Sequence, residues 1–344
     1  MTDPVRVALI GCGRIAQVAH LPALEKANGI QLVTVSDPSE DVRRAVARRY
    51  DVPQAYADHS QVITDELVEA VLVAAPDRFH YPITAAALSA GKHVLVEKPL
   101  ASTVAESEKL VDLVEQTGLV LQVGAMKRHD PGVQYARKFV SERLGEVRSF
   151  NAWYRIGDLR PGIEATLFPR LYADISAYQA EIAIKADRRR YLLATHGAHV
   201  FDTVRYLLGD VASVVARHRA DGQDQLWQLL LTTTSGAIGT VSIAVDVPGK
   251  PNEGIEIFGS AGTIKLDIPF PFYRLASTVR AYSGGEMIMP AFTDGDAYRR
   301  QAEAFARVIR EGGRPTPDVH DGLAALQLIE ATAIAVERGD EVTT

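Results

Sequence analysis

Residues 94–101 read VLVEKPLA and place two charged side chains directly after an apolar run. Ligands of open α/β sheets bind outside the carboxyl ends of the strands, so we expect Glu97 and Lys98 to face a ligand crevice and not the core. A desolvated lysine amine can give and take protons near neutral pH, and a cis Lys98–Pro99 bond would aim it. Lys98 is therefore a candidate acid–base group. The alternative is a surface ion pair beside a turn, which contributes little.

A glycine-rich turn, GCGRIA at residues 11–16, follows the apolar run Val5–Ile10. In this G-x-G-x-x-A pattern the first glycine permits a tight turn and the second leaves room for a pyrophosphate. The third small residue lets the following helix pack on the strand, and the helix N-terminus favours the negative phosphates. The pattern predicts a dinucleotide site with contacts from Gly11, Cys12, Gly13, Arg14 and Ile15.

An acidic residue at the end of the next strand predicts which dinucleotide binds. Asp37 follows the turn by about 20 residues, the spacing of the carboxylate that binds the adenosine ribose. Because a carboxylate there repels a 2′-phosphate, NAD is expected in preference to NADP, although Arg43 and Arg44 follow closely and weaken that preference slightly. The alternative role for Asp37 is a helix cap before Pro38.

The first third of the chain alternates short apolar runs with helical patterns, which predicts an α/β fold. β-Branched, nearly continuous apolar runs are typical of parallel strands covered on both faces. We expect an N-terminal Rossmann domain, a doubly wound parallel sheet, over residues 1–125. The predicted strands are Val5–Ile10, Gln31–Ser36, Ala70–Ala75, His93–Glu97 and Val120–Val123, and the predicted helices include Asp41–Tyr50, Tyr81–Ala90 and Val104–Thr117.

The remaining residues, 126–344, are expected to form an α+β domain for substrate binding and oligomerisation. Short glycine-bearing turns between its strand-like runs predict a mostly antiparallel sheet. Its apolar strand surface exceeds what two C-terminal helices would cover, which predicts a homodimer or homotetramer through the sheet. The predicted strands are Arg148–Arg155, Ala212–Arg219, Gln225–Thr234, Ala237–Val245, Glu253–Phe258 and Thr263–Ile268, and the helices are about Leu192–Leu208, Asp296–Arg310 and Asp321–Glu337.

The bulk composition narrows the function classes. A formal net charge of −6 argues against nucleic-acid binding. No uninterrupted apolar run approaches the roughly 18 residues of a membrane span. The first residues enter a strand without a signal-peptide pattern, and a single cysteine suits a reducing compartment. We expect a cytoplasmic protein with no nucleic-acid or membrane partner.

Taken together, these motifs resemble the Gfo/Idh/MocA family of oxidoreductases. The resemblance rests on the glycine turn, Asp37, the Glu97-Lys98-Pro99 triplet and GAHVFD at residues 197–202. GAMKRHDP at residues 124–131 and GSAGT at residues 259–263 resemble two further family motifs. The family implies a Rossmann domain, a second domain with a large open sheet, and hydride transfer between NAD(P) and a carbon that bears a secondary hydroxyl.

The resemblance also implies roles for individual residues. Lys98 matches the lysine that acts on the hydroxyl proton, and His199 matches the active-site histidine. The substrate is expected between the nicotinamide and the second domain, where Arg128 and Thr195 would orient it and Tyr154 and His196 would be further contacts. The expected cofactor contacts at the other strand ends are Ala75, Pro76, His80, Glu97 and Lys98.

The helix that carries the histidines raises its own alternatives. In a regular α-helix Thr195, His199 and Asp202 would share one face, with His196 at its edge. Gly197 is unfavourable inside a helix, so we expect it to permit close approach of cofactor or substrate. Thr195 stands where many family members have aspartate, and a hydroxyl cannot replace a carboxylate as a proton relay. His199 could instead be a core histidine, or His196 and His199 metal ligands, but no further metal-ligand spacing is evident and no metal is expected.

A long connection over residues 157–187 precedes this helix and carries Arg160, Arg170, Tyr172 and Tyr178. We expect it to close over the substrate or to extend to a neighbouring subunit. Because arginine forks suit carboxylate or phosphate groups, an anionic substrate is an alternative to a neutral one.

The leading hypothesis is an NAD-dependent dehydrogenase of a sugar, sugar acid or cyclitol. One alternative is an enzyme that recycles its own tightly bound NAD, as a glycosidase or an epimerase would, and non-exchanging NAD would indicate it. The other is a non-catalytic sugar or nucleotide sensor, which the presence of both Lys98 and His199 disfavours.

Overall fold

The computed structural model describes residues 3–168, 171–174 and 187–344, which form two compact units. Within those residues, the first unit comprises 3–125, 168, 171–174 and 298–323, and the second comprises 126–167, 187–297 and 324–344. Residues 298–323 therefore group with the N-terminal unit, whereas the sequence alone assigned them to the second domain. Arg170 and Tyr178 of the long connection lie outside the described residues.

A six-stranded sheet forms the centre of the first unit. Its strands are β1 (Val5–Ile10), β2 (Ile30–Ser36), β3 (Gln54–Tyr56), β4 (Ala70–Val73), β5 (His93–Glu97) and β6 (Leu121–Gly124). All its strand pairs are parallel, and the order is β3-β2-β1-β4-β5-β6. The predicted Rossmann sheet is confirmed. Its strand order reverses between β1 and β4, and ligands of such sheets bind at the carboxyl ends beside that point.

Both faces of this sheet are buried, as the near-continuous apolar strands require. Val5, Val7 and Leu9 of β1 belong to one core cluster, and Ala8 and Ile10 belong to another. Successive side chains of a strand point to opposite faces, so the two clusters lie on the two sides of the sheet. The helices of this part are α1 (Leu21–Leu24), α2 (Glu40–Arg49), α3 (His59–Thr64), α4 (His80–Ser89) and α5 (Val104–Thr117).

Local sequence signals explain where α5 begins and ends. The Thr103 hydroxyl accepts the Glu106 N–H, and the Glu106 carboxylate accepts the Thr103 N–H, each at 3.2 Å. This capping box satisfies N–H groups that the first turn leaves without partners. Gly118 ends the helix with a φ of 65°, a conformation that glycine adopts without steric cost.

The second unit contains a nine-stranded sheet in the order β14-β13-β12-β11-β7-β10-β9-β8-β15. Its strands are β7 (Val147–Ile156), β8 (Val211–Asp221), β9 (Asp224–Thr233), β10 (Ile238–Val245), β11 (Asn252–Gly259), β12 (Gly262–Ile268), β13 (Thr278–Ser283), β14 (Glu286–Ile288) and β15 (Val342–Thr343). Every pairing is antiparallel except that of β7 with β10. The predicted large, mostly antiparallel sheet is confirmed.

The helix that precedes β8 packs on this sheet. The helices of the second half are α6 (Pro131–Glu142), α7 (Arg160–Leu167), α8 (Arg188–Leu192), α9 (Ala198–Leu208), α10 (Ala297–Glu311) and α11 (Val319–Arg338). A π-helical turn, Leu193–Gly197, joins α8 to α9. The α9 helix packs on β7 and buries Val200, Phe201 and Val204.

The C-terminal helix α11 is long and apolar enough to match a membrane span in length and composition, with a mean hydropathy of 1.3. Half of its most apolar window is nevertheless buried inside the protein, including Leu328 and Thr332. A helix that is apolar around much of its circumference and packed in this way is typical of a protein core.

Candidate active site

The glycine-rich turn leaves the end of β1 in a conformation that fits a dinucleotide. Gly11 has a φ of 92°, and a Cβ there would lie 2.7 Å from the backbone oxygen of Ala74. Only glycine fits at this point without a shift of the β4 backbone. A Cβ on Gly13 would meet no atom within 4 Å, so this glycine borders open space where a phosphate can approach the backbone.

The remaining residues of the turn are divided between core and surface. Ala16 is fully buried beneath the helix start, as the small third residue of the motif predicts. Arg14 is exposed and Ile15 is half-buried. Burial raises the pKa of the Cys12 thiol, so Cys12 is not a reactive thiolate near physiological pH, and its backbone N–H donates to Asp37.

Asp37 lies at the end of β2 beside this turn. Its Oδ2 accepts the N–H of Cys12 at 2.8 Å, and its Oδ1 accepts the N–H of Ser39 at 2.9 Å. Burial raises the pKa of the Asp37 carboxyl, and these two N–H groups and the charge of Arg43 oppose the rise. A carboxylate can accept about four hydrogen bonds, so Asp37 retains capacity for ribose hydroxyls. The residues of this edge fit a nicotinamide dinucleotide.

Glu97 differs from its predicted orientation. It is 7% exposed, and its Oε1 lies 2.7 Å from Nε2 of His20, while its Oε2 accepts the N–H of Lys98 at 3.1 Å. Burial alone would raise the pKa of Glu97, but the hydrogen bond and charge of His20, with Lys98 and His80, lower it overall. The carboxylate is therefore bonded inside the protein, and the expectation that it faces away from the core is wrong.

His80 also holds the Glu97–Lys98–Pro99 segment in place. The Lys98–Pro99 peptide is cis, as the sequence suggested, and Lys98 is half-buried. Ring nitrogens of His80 lie 2.6 Å from the carbonyl oxygen of Pro99 and 2.9 Å from that of Ala75. His80 is buried, so its ring links the ends of β4 and β5, and Ala75 and Pro76 are the more accessible residues of that edge.

In the second unit the histidines lie on an irregular helix. Thr195 and His196 belong to the π-helical turn, and His199 belongs to α9, so the uniform α-helical face predicted from sequence is wrong. A Cβ on Gly197 would lie 3.1 Å from side-chain atoms of both Leu193 and Phe201. The small size of Gly197 therefore serves packing within this unit and needs no cofactor or substrate to explain it.

Tyr154 brings the two histidines together. Its hydroxyl lies 3.3 Å from Nδ1 of His196, and its ring stacks on His199 with centroids 5.5 Å apart and planes 12° apart. Burial, followed by the charge of Glu253, raises the pKa of the Tyr154 hydroxyl. The phenol is therefore neutral near physiological pH and can donate or accept a hydrogen bond.

Two charged residues beside this group were missed by sequence reasoning. Glu253 of β11 pairs across the strands with Tyr154 of β7, and Nζ of Lys127 donates to its Oε2. Nζ also lies 5.0 Å from the Tyr154 ring centroid. Glu253 Oε1 is buried and has no hydrogen-bond partner among the described residues. The available signal was a glutamate at an inward position of β11, where Ile255 and Ile257 alternate with it.

Arg128 is engaged by Asp202 of the same histidine motif. Its Nε lies 3.0 and 3.1 Å from the two carboxylate oxygens, and its Nη2 donates to Oδ1 at 2.7 Å. The guanidinium also lies over the ring of Tyr206, 5.0 Å from its centroid. Arg128 is 4% exposed and bonded to Asp202, so it supports α9, the helix that also carries His199.

Among the described residues, no group of three or more His, Cys, Asp and Glu side chains gathers as metal ligands would. His196 instead faces a phenol hydroxyl. The chemistry of this part of the molecule is that of imidazole, phenol and a lysine–glutamate pair.

Two protein-family models match this chain, one in each unit. Residues 5–125 match the family model described as "Oxidoreductase family, NAD-binding Rossmann fold". Residues 133–265 match the GFO/IDH/MocA C-terminal domain.

Relatives with these domains align over nearly the whole chain. Inositol 2-dehydrogenase 1 of Saccharopolyspora erythraea is 28% identical over 98% of this chain and 96% of its own length. D-xylose 1-dehydrogenase (NADP(+)) 2 of Haloferax volcanii is 26% identical over 97% and 98% of the two chains. A levoglucosan dehydrogenase solved with NADH and levoglucosan has the same fold, with a TM-score of 0.81 at 20% identity over 99% of each chain. The chain belongs to the Gfo/Idh/MocA family of NAD(P)-dependent oxidoreductases, which act on CH–OH donors.

Proposed function

We propose that this protein is an NAD-dependent dehydrogenase that oxidises a secondary hydroxyl of a sugar, sugar acid or cyclitol. The observation that carries the proposal is the position of Lys98. It follows β5 at the carboxyl edge of the sheet whose β1 end carries the glycine-rich turn, and buried hydrogen bonds of Glu97 hold its backbone. In open α/β sheets this edge is where ligands bind.

NAD bound at the glycine-rich turn would supply the acceptor for the hydride that leaves the carbinol carbon. Lys98 accepts the hydroxyl proton, and His199 bonds the same or the adjacent oxygen. General acid–base help of this kind contributes about 10²–10⁴-fold to turnover. Tyr154, neutral and stacked on His199, fixes the imidazole plane and offers a hydroxyl beside His196.

Arg128 and Thr195, two of the predicted substrate residues, would have supporting roles. Arg128 is bonded to Asp202 of α9, and this pair would hold the helix that carries His199. Thr195 is half-buried on the π-helical turn and would bond a substrate oxygen without relaying a proton. The Thr195 hydroxyl is sufficient to orient the substrate but does not take its proton. Lys98 therefore remains the proposed proton acceptor.

The preference for NAD rests on Asp37. Its carboxylate is fixed by two backbone N–H groups beside Gly11 and Gly13, which suits hydrogen bonds to ribose hydroxyls and repels a 2′-phosphate. The charge of Arg43 partly offsets that of Asp37, although its Nη1 donates to the backbone oxygen of Asp37 at 2.6 Å and not to the carboxylate. One relative is named for NADP, so the preference has to be measured for this chain.

The substrate class is taken from the relatives, which are named for inositol and D-xylose. The test is NADH formation by the purified protein with NAD and a panel of myo-inositol, scyllo-inositol, D-xylose, levoglucosan and D-gluconate. Turnover of at least one polyol supports the proposal. If no member is oxidised and one NAD remains bound per chain through purification, the cofactor is recycled internally and net dehydrogenation is the wrong reaction.

We also propose that the outer face of the nine-stranded sheet joins subunits into a homodimer or homotetramer in the cytoplasm. Large apolar side chains on this sheet remain exposed, and Leu230 and Ile238 point outward from the neighbouring strands β9 and β10. Tyr282 of β13 and Met287 of β14 are exposed as well. Because apolar side chains exposed on a sheet often mark an interaction site, we infer that another subunit covers them.

A further inference from the structure

A segment from far along the chain is bonded to the helix that follows the glycine-rich turn. The N–H of Tyr172 donates to Oε1 of Gln17 at 2.9 Å, and Nε2 of Gln17 donates to the carbonyl oxygen of Tyr172 at 2.7 Å. The Gln17 amide thus pairs with a backbone residue through two hydrogen bonds, as adjacent strands do. Gln17 is 6% exposed, so little water competes for these bonds.

Gln17 is fixed on its other side by the turn itself. Its Nε2 also donates to the carbonyl oxygen of Cys12 at 2.8 Å. The N–H of Cys12 donates in turn to the carboxylate of Asp37. A continuous path of hydrogen bonds therefore runs from Asp37 through Cys12 and Gln17 to Tyr172. Residues 171–174 are held beside the part of the sheet edge that fits the adenosine half of the cofactor.

The same segment carries another negative charge to this edge. Asp174 follows Tyr172 by two residues and is half-buried. Burial is the main cause that raises the pKa of the Asp37 carboxyl, and the charge of Asp174 adds to the rise. Asp174 is two residues from Tyr172, which Gln17 holds beside the glycine-rich turn, so its carboxylate lies on the side of the sheet edge that carries Asp37. Like charges that lie close together destabilise a folded chain. We therefore expect the carboxylates of Asp37 and Asp174, which lie beside a ligand site, to take part in binding.

We propose that Asp174 is a second cofactor-specifying carboxylate, held by the Gln17–Tyr172 pairing beside the ribose site of Asp37. This role rests on one part of the proposed function, the binding of a nicotinamide dinucleotide by the first unit. Asp37 accepts hydrogen bonds from the ribose hydroxyls. Asp174 supplies repulsion against the 2′-phosphate of NADP, and it leaves NAD, which has no charge at that position, almost unaffected. Discrimination by repulsion of the wrong ligand is a common route to specificity.

Equilibrium titrations that follow the fluorescence of NADH and NADPH test this without turnover. Asp174→Asn removes one charge and keeps the side-chain shape, and Asp112→Asn, on the exposed surface of α5, is the matched control. Asp174→Asn is expected to tighten NADPH binding about 5- to 20-fold, the effect of one partly screened charge on a phosphate. NADH affinity should change less than about two-fold, since it carries no charge there. Asp112→Asn should change neither affinity.

The pairing itself is tested by Gln17→Leu, which keeps a side chain of similar length and removes all three hydrogen bonds. The NADPH-to-NADH affinity ratio should shift in the same direction as in Asp174→Asn. Stopped-flow displacement should also show faster NADH release, by about 10-fold, because residues 171–174 are no longer held beside the adenosine half of the cofactor. If Gln17→Leu does not fold, Asp174→Asn decides alone, because a half-buried surface change of this kind leaves the core intact.

The outcomes separate this inference from the proposed function. A wild type that binds NADH, with an Asp174→Asn variant whose NADPH-to-NADH ratio is unchanged, overturns the role of Asp174 and leaves the dehydrogenase proposal standing. A wild type that binds neither dinucleotide overturns both. An Asp37→Ser variant that loses NADH affinity and gains NADPH affinity verifies that the assay reports on the ribose site.

Discussion

His20 and Glu97 form a buried pair in which Nε2 of the imidazole lies 2.7 Å from Oε1 of the carboxylate. The second carboxylate oxygen accepts the N–H of Lys98. Gly124, opposite Glu97 on β6, leaves the space this arrangement needs, because a Cβ there would lie 3.0 Å from Cα of Glu97. The buried carboxylate of Glu97, the last residue of β5, therefore holds the backbone of Lys98 in place.

Glu97→Gln should lower the free energy of unfolding near neutral pH by about 1–3 kcal/mol, since the buried bond to His20 loses its charge. The pKa of Glu97 lies below its ordinary value of 4.5. Its ionised form therefore adds stability above the ordinary value, and this contribution is lost as the pH falls through the lowered pKa. Urea unfolding should show the gap between wild type and Glu97→Gln shrinking under acid conditions. The control Glu40→Gln, an exposed residue of α2, should show a small gap. A large gap that stays constant with pH would contradict this account.

The stability deficit of a Lys127–Glu253 variant should also shrink toward acid pH, but for a different reason. Lys127→Met leaves a buried carboxylate without its cation and should cost about 3–5 kcal/mol. Burial already raises the pKa of Glu253, and the lysine opposes the rise. In Lys127→Met the native state retains a proton that the unfolded chain releases, so the deficit should grow as the pH rises and shrink toward acid pH.

The double variant Lys127→Met/Glu253→Gln isolates this pair. It removes both charges and should be more stable than Lys127→Met alone, because no uncompensated charge remains. Denaturant titration of the four proteins in the cycle measures the coupling. Additive losses would mean that the two side chains do not interact as the geometry indicates.

The exposed sheet face gives a prediction about assembly. Leu230→Lys combined with Ile238→Lys places two charges on the proposed interface and should convert the oligomer to monomer. Sedimentation velocity at micromolar concentration measures this, with Leu67→Lys as the control, since Leu67 is an exposed apolar residue outside the sheet. A wild type that is monomeric at that concentration would contradict the interface.

The sequence predicted well those elements of the fold that depend on residues close together in the chain. The glycine turn, the strand β5 and the capped helix α5 follow from spacing and propensity within a few residues. The bounds Val5–Ile10, His93–Glu97 and Val104–Thr117 agree with the structure at both ends. Short strands such as Gln54–Tyr56 were missed, since three residues carry too little pattern.

The candidate site was predicted less completely because its partners are distant in sequence. Gln17 and Tyr172 are separated by 155 positions, and Lys127 and Glu253 by 126. Neither pairing leaves a local pattern. The π-helical turn at Leu193–Gly197 also has no local signature, so the predicted helical face of Thr195 was wrong. A charge at an inward strand position, as at Glu253, is the one signal that sequence could have supplied.

His199 is tested by replacement with asparagine, which keeps a hydrogen-bonding side chain of smaller size. His199→Asn should lower kcat with the best polyol of the panel, while NADH affinity stays near the wild-type value. If His199 and Lys98 handle one proton together, the double variant should lose less than the product of the two single losses. Independent, multiplicative losses would separate the two roles.

The most direct test of the proposed function is the turnover of Lys98→Met. Methionine keeps most of the side-chain volume and removes the proton acceptor, and Lys109→Met, on the exposed surface of α5, is the matched control. Measured as NADH formation with the best polyol, kcat of Lys98→Met should fall by about 10²–10⁴-fold. NADH binding should change much less, and the control should behave as wild type. A Lys98→Met enzyme with near-normal turnover would contradict the account and leave the Glu97-Lys98-Pro99 segment as a structural turn.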